Sequence, residues 1–430
     1  MSFSTTGMKI VILSDSFPPT ILGGADIIAS NLASQLSDKG NNVYVITTTR
    51  NHDDAGVSKY NNLIVYRIHS DYHMRWRAYL SLNNRKVVKE VENILKNLKP
   101  DVVHAHNVHE YLSYASLKMA KKYSKVVLLT FHDFYSINYG KLGVIIDSSG
   151  NVVPDSTSPI NLFLRYKFRY NPFRNIIIRK YLMSVDKMFA VSLALKSILE
   201  SRGISPVDLL HNGIDVSKWG TNEKSLENFK QKYNLQTKKV LFFGGRLSGT
   251  KGGKVSVDVL AKVSAEMKDV VLLVAGTKNK SAEEMLARAD KLGIKDKIIF
   301  TGWIDHNEIS YAYASSDVVL VLSQYIDPFP TLNLEAMASK KPVVGTMFGG
   351  TPEIVVDDKT GYIVDPKDVT LISEKILDLL ENPEKAEAFG LAGFERVKRS
   401  FDESRWAEAT LASYATMLSN KVANKTAKKK

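Results

Sequence analysis

The stretch from Tyr325 to Ala338 reads Tyr-Ile-Asp-Pro-Phe-Pro-Thr-Leu-Asn-Leu-Glu-Ala-Met-Ala. It places two acids, Asp327 and Glu335, eight positions apart across a Pro-Phe-Pro turn. Leu332–Ser339 reads as a helix, so Thr331 and Leu332 stand near its start. Helix starts carry unpaired amides and a partial positive charge, which suits phosphate or sugar hydroxyls. A carboxylate in the first turn can accept hydrogen bonds from a ribose diol. Glu335 lies in an otherwise apolar helical run, where a carboxylate needs a partner. Asp327 before Pro328 is also an ordinary turn sequence.

A second loop, Gly244-Gly245-Arg246-Leu247-Ser248-Gly249-Thr250-Lys251-Gly252-Gly253, follows a strand and opens a helix. Arg246 and Lys251 are five apart across it and could both reach one pyrophosphate, Arg as a planar fork and Lys as a point charge. The order is not that of a Walker loop, whose Lys precedes Ser or Thr. A third loop, Phe17 to Asp26, contains Gly23-Gly24. Paired glycines let backbone amides approach a phosphate or a sugar, or simply serve a turn that needs positive φ. The dinucleotide fingerprint Gly-x-Gly-x-x-Gly is missing there, which argues against an NAD enzyme.

Histidines end two apolar strands. Thr130-Phe131-His132-Asp133 closes one, and His104-Ala105-His106-Asn107-Val108-His109 closes the other. Three histidines so close raise zinc, but no acid or Cys completes a metal spacing. Hydrogen bonding at strand ends is the more ordinary role. Gly302-Trp303-Ile304 follows a further strand and could flank a nucleobase or simply pack a Trp. Asn212-Gly213-Ile214-Asp215 reads equally as a turn or a ligand contact.

These stretches resemble the retaining glycosyltransferases of the two-Rossmann-domain (GT-B) type, the family called group 4 or group 1 glycosyl transferases. The resemblance spans nearly the whole chain, from Phe17 to Trp406. That family has Glu, seven residues, Glu; here Asp327 takes the first place, one methylene shorter. Its first glycine loop has Gly-Gly followed by an acid, here Asp26. The resemblance implies two domains facing a central cleft, with the acceptor on the first and a nucleoside-diphosphate sugar on the second. Arg246 and Lys251 would hold the diphosphate and stabilise its charge as it leaves, with no metal and no cofactor. Glu335 would bind the donor ribose, while Asp327 and His132 would lie next to the transferred sugar. Gly23, Gly24, Trp303, Ile304 and the backbone of Phe329, Pro330, Thr331 and Leu332 would complete the donor site. Catalytic roles fall to Asp327, His132, Arg246 and Lys251. Retention in such enzymes is attributed to same-face attack, and members use UDP, GDP or ADP sugars. Two other readings share the architecture: a nucleotide-sugar epimerase, and a non-catalytic glycan-binding relative.

The elements that must position these residues alternate strand and helix from end to end, which argues for parallel α/β architecture. Strands are expected at Lys9–Leu13, Val43–Thr47, Val102–Ala105, Val126–Thr130, Lys187–Val191 and Val207–Leu210. A second series follows at Val240–Gly244, Val270–Ala275, Ile298–Thr301, Val318–Leu322 and Pro342–Gly345. Helices are expected at Ala25–Ser37, Val255–Met267, Ala282–Leu292, Glu308–Ser315 and Leu332–Ser339. Two such series predict two Rossmann-like domains, 1–211 and 212–402, then a helix over 403–420 returning to the first domain and a basic tail over 421–430.

The 430 residues suffice for two cores. No apolar run is long enough to cross a bilayer, and the polar start is unlike a signal peptide. With no cysteine at all, disulfides and thiolate metal sites are excluded. A cytoplasmic protein, peripheral at the membrane face, is the expectation. Net charge is +13. Part of it lies in the tail, and part in Asn161–Lys180, where Arg165, Lys167, Arg169, Arg174, Arg179 and Lys180 interleave with Phe163, Tyr166, Phe168, Tyr170 and Phe173. Pro172 breaks the segment into two short helices. The mixture suits an anionic membrane surface and a lipid-linked acceptor, or else aromatics packed inward beneath solvated cations. No nucleic-acid module appears.

Overall fold

The computed structural model describes residues 5–20, 23–146, 152–154, 158–305 and 308–427. Ile21 and Leu22 of the first glycine loop, and Lys428–Lys430 of the basic tail, lie outside the described residues. The chain divides into two compact units. One comprises Met1–Gly143, Pro154–Gly213 and Glu403–Lys430, and the other Val144–Val153 and Ile214–Asp402.

The sheet of the first unit has eight strands, in the order Asp208–Leu209, Lys187–Ala190, Val126–Phe131, Val102–His106, Lys9–Ser14, Asn42–Thr49, Leu63–His69 and Gly56–Tyr60. All pairings are parallel except the last, Gly56–Tyr60 on Leu63–His69. The central strands are apolar throughout because helices cover both faces of a parallel sheet. The two outer strands Gly56–Tyr60 and Leu63–His69 had no clear sequence signal. Their burial is mixed, and Gly56–Tyr60 is almost wholly exposed.

The second sheet has six parallel strands, in the order Ile298–Gly302, Val270–Ala275, Lys239–Gly244, Val318–Val321, Val343–Thr346 and Gly361–Val364. This is the Rossmann order, and it reverses direction between Lys239–Gly244 and Val318–Val321. Helices Gly253–Glu266, Lys280–Lys291 and Val369–Glu381 pack on it around Leu241, Leu272, Val257, Leu260, Leu320 and Ile376.

The last helix runs from Glu403 to Ala427, longer than the expected 403–420. The first part of the expected tail is therefore helical, and Lys421 pairs with Asp186 at 2.9 Å. Trp406, Leu411, Tyr414 and Leu418 enter the core of the first unit beside Ile10, Leu32 and Val45. Tyr414 also bonds His104 Nδ1 at 2.7 Å. This helix is thus a layer of the first unit.

Candidate functional site

Sheet topology assembles the second unit's site. The Gly244–Gly253 loop leaves one strand at the point of reversal, and Ser323–Pro330 leaves the other. Ligands of open α/β sheets bind at such a point. Two glycines shape the first loop. Gly245 has φ +95° and lies against Leu332, while Gly252 has φ +89° and any Cβ there would collide with the carbonyl of Leu322. That close approach brings Lys251 beside the second loop.

Lys251 Nζ donates to Asp327 Oδ2. The same oxygen accepts from Ser323 Oγ at 3.2 Å, and Lys251 Nζ also lies 5.4 Å from the ring centre of Tyr325. Burial alone would lower the Lys251 pKa, but the charge of Asp327 and the Tyr325 hydroxyl raise it above the ordinary value. The ammonium is therefore permanent. Asp327 is 6% exposed, and its backbone is fastened as well. Its amide donates to Tyr325 O at 2.8 Å, and its carbonyl accepts from Gly350 N at 2.9 Å. Arg246 is exposed on the same loop.

The helix after the acidic loop is Thr331–Ala338, capped by Pro330. Phe329 and Pro330 are buried, and Thr331 and Leu332 open the helix. Glu335 falls in the second turn, not the first. Its Oε2 accepts from the hydroxyl of Tyr313 at 2.6 Å, which is the partner that a carboxylate in this apolar helix requires. Tyr313 is 1% exposed, wedged between Phe242 and Trp219 with ring centres at 4.6 and 5.3 Å. Burial and the Glu335 charge push its hydroxyl pKa well up, so it remains a donor. Trp303 is 78% exposed and Ile304 half-buried, after the strand ending at Gly302.

Several of these parts were missed in the sequence. Tyr313 carries no local signal, being one aromatic on a short helix. Ser323 carries no local signal either. The Gly349–Gly350 pair was findable as a double glycine following a strand. Gly349 has φ +70°, and a Cβ on it would strike the Asp327 carbonyl; one on Gly350 would strike that of Pro328.

In the first unit, Gly23 caps the helix Gly24–Asp38 with extended φ of −174°, so neither glycine of this pair serves a positive-φ turn. The Gly23 amide is taken by Asp26 Oδ2 at 2.8 Å. Among the described residues nothing stands within 4 Å of where a Cβ on Gly24 would lie. The sheet of this unit reverses between Lys9–Ser14 and Val102–His106, and Asp15 clamps the loop on the far side. Its carboxylate accepts four amides, from His109, Glu110, Tyr111 and Leu112, at 2.7 to 2.9 Å. The buried acid Asp15 was also missed.

His132 Nε2 lies 3.0 Å from His106 Nδ1, with the rings stacked at 5.2 Å. Burial is the main cause that lowers the pKa of His132 to about 4, so the ring is neutral near pH 7. His104 bonds Tyr414 and Thr130, and His109 contacts Asp133 Oδ2 at 3.1 Å. Among the described residues no group of three His, Cys, Asp or Glu is arranged to hold a metal ion. Asn212 is buried, and Asp215 caps the turn that follows it, accepting from Ser217 N at 3.0 Å.

Two Rossmann-like sheets, each with a strand-order reversal, define the GT-B fold. The chain belongs to the group 1 glycosyltransferases. The Glycosyltransferase Family 4 model matches residues 22–218, and the model named Glycosyl transferases group 1 matches 225–396. It is accordingly an enzyme, a glycosyltransferase. An uncharacterised glycosyltransferase of Methanocaldococcus jannaschii is 27% identical over 84% of this chain and 86% of its own. N-acetyl-alpha-D-glucosaminyl L-malate synthase of Bacillus anthracis is 24% identical over 95% and 97%. Among solved structures, sucrose-phosphate synthase of Thermosynechococcus elongatus has a TM-score of 0.75 at 20% identity, covering 96% of this chain and 99% of that one. HepE of Anabaena, solved with UDP and glucose, has a TM-score of 0.70 at 17% identity, covering 95% and 100%. At such identities these structures establish the fold.

Proposed function

We infer that the protein is a retaining hexosyltransferase that moves a sugar from a nucleoside-diphosphate sugar to a glycan acceptor, lipid-linked or free, in cytoplasmic glycoconjugate synthesis. The observation that carries this reading is the meeting of Lys251 with Asp327 at the reversal point of the second sheet, on the loop that leads into the helix carrying Glu335. A permanent cation there offers a diphosphate its counter-charge without a metal, and exposed Arg246 adds a second. Amides opening the Thr331–Ala338 helix favour the same anion. Glu335, oriented by Tyr313, is suited to accept from a ribose diol. Asp327 is the carboxylate assigned to the transferred sugar; donor binding to Lys251 would release it from its present partner. Neutral His132 offers a sugar hydroxyl a hydrogen bond in the first unit, and Gly23 and Gly24 at a helix start are assigned to the donor. Trp303 and Ile304 are assigned to the base. The UDP and glucose held by HepE are consistent with such a donor.

The test is thermal stabilisation by UDP, GDP and ADP, with and without magnesium, since a ligand of the folded state raises the melting temperature. One diphosphate should stabilise the wild type, independently of magnesium, and fail with Lys251→Ala. No shift with any of the three overturns the reading.

A further inference from the structure

The structure separates the two faces of the basic aromatic segment. From Ser158 to Val185 the chain has no Asp or Glu. It folds as two helices, Pro159–Tyr166 and Arg174–Leu182, joined through a single turn at Lys167–Arg169. The inner face is firmly held. Tyr166 stacks on Tyr139 with ring centres 4.9 Å apart, and Tyr170 lies tilted against the same ring at 5.6 Å. Arg174, expected among the surface cations, is instead fully buried. Its guanidinium lies over the rings of Tyr135 and Tyr139 and donates to the Tyr135 carbonyl. Tyr79 ties the turn down by donating to Tyr170 O at 3.0 Å.

Six apolar side chains remain outside. Ile160, Phe163, Leu164, Phe168, Phe173 and Ile176 are all at least half exposed, and Phe168 is 96% exposed. Burying such side chains is favourable in proportion to their apolar area, so leaving six of them in water on one anchored segment calls for a partner. Arg165, Lys167, Arg169, Arg179 and Lys180 stand exposed among them.

We propose that this face docks on an anionic lipid bilayer, with the apolar side chains entering the headgroup layer and the cations meeting lipid phosphates. The mixture decides the partner. Lys is depleted from the core of a protein interface, whereas here Lys167 and Lys180 stand with Arg165, Arg169 and Arg179 among the apolar residues, and the segment itself contains no Asp or Glu. Aliphatic Ile160, Leu164 and Ile176 offer a nucleobase no stacking surface. Basic and apolar side chains on short surface helices match the interfacial layer of a membrane.

Purified full-length protein would be floated with vesicles of phosphatidylcholine alone and with vesicles of equal parts phosphatidylcholine and phosphatidylglycerol, at low and high salt. Flotation with the anionic vesicles only, weakened by salt, is expected. The triple substitution Phe163→Ser, Phe168→Ser, Phe173→Ser should abolish it. Exchanging Arg165, Lys167 and Arg169 for Gln should weaken it on the order of a hundredfold, at about 1 kcal/mol per cation. Both variants alter exposed residues and should keep the wild-type melting temperature and nucleotide response, so docking is judged apart from the proposed reaction. Absence of flotation overturns the proposal, as does flotation indifferent to both variants. A wild-type dimer that the Phe variant splits, or single-stranded nucleic acid binding that it removes, would assign the face to that partner instead.

Discussion

The hydroxyl of Tyr313 donates to Oε2 of Glu335 at 2.6 Å, across 22 positions of sequence. The tyrosine sits on the helix before one strand and the glutamate on the helix after it. Phe242 and Trp219 fix its ring, so the carboxylate is oriented by a donor that cannot turn away.

Tyr313→Phe keeps the ring and deletes the donor. A hydrogen bond to a charged group contributes about 1.5–3 kcal/mol. Nucleotide affinity, measured by titration calorimetry, should fall about tenfold, with the fold retained and the melting temperature lowered by a few degrees. An unchanged affinity would mean that Glu335 is not a donor ligand or needs no orienting.

The Lys251–Asp327 pair should behave as a unit. Removing one partner of a buried pair leaves an uncompensated charge and costs about 3–5 kcal/mol; the partial exposure of Lys251 places it toward the low end. Lys251→Met should therefore lower stability to denaturant and abolish turnover. Asp327→Asn should retain the fold and lose turnover. The double variant should be less destabilised than the sum of the two, a coupling that a double-mutant cycle measures.

Two glycines with the same name should respond oppositely. Gly349→Ala places a side chain at φ +70° against the Asp327 carbonyl, so stability and activity should fall together. Left-handed backbone alone costs about 1–2 kcal/mol per residue without glycine. Gly24→Ala meets nothing among the described residues, and denaturation midpoints of the two variants should differ clearly.

Acid should loosen the first unit. Burial, as the largest cause, lowers the pKa of His104 to about 3 and that of His132 to about 4. Both would titrate near 6.5 in the unfolded chain. The folded state thus binds fewer protons, so stability is full above about pH 6.5 and declines as pH falls from there toward about 4. Melting temperatures across that range should fall progressively, and His132→Asn should flatten part of the slope.

The strands were largely legible in the sequence because buried parallel strands are continuous apolar runs. Lys9–Ser14, Val126–Phe131 and Val270–Ala275 stand out for that reason alone. Gly56–Tyr60, exposed and at a sheet edge, has no such run, and Gly361–Val364 is only four residues long. The inner and outer faces of residues 160–182 were not separable either, since Phe and Tyr recur at the same helical spacing. Only the contacts of Tyr139 and Arg174 show which of them pack inward.

By itself, the sequence determined which residues can do chemistry: the charges at Arg246, Lys251, Asp327 and Glu335 and the glycine and proline positions are local properties of the chain. Tertiary structure decided which of them meet. The Val318–Val321 strand pairs with Lys239–Gly244 rather than with its sequence predecessor Ile298–Gly302, and that crossover sets Lys251 on Asp327 and Tyr313 on Glu335. Strand order in a parallel sheet depends on how helices pack over both its faces, an interaction between distant segments that no local spacing encodes.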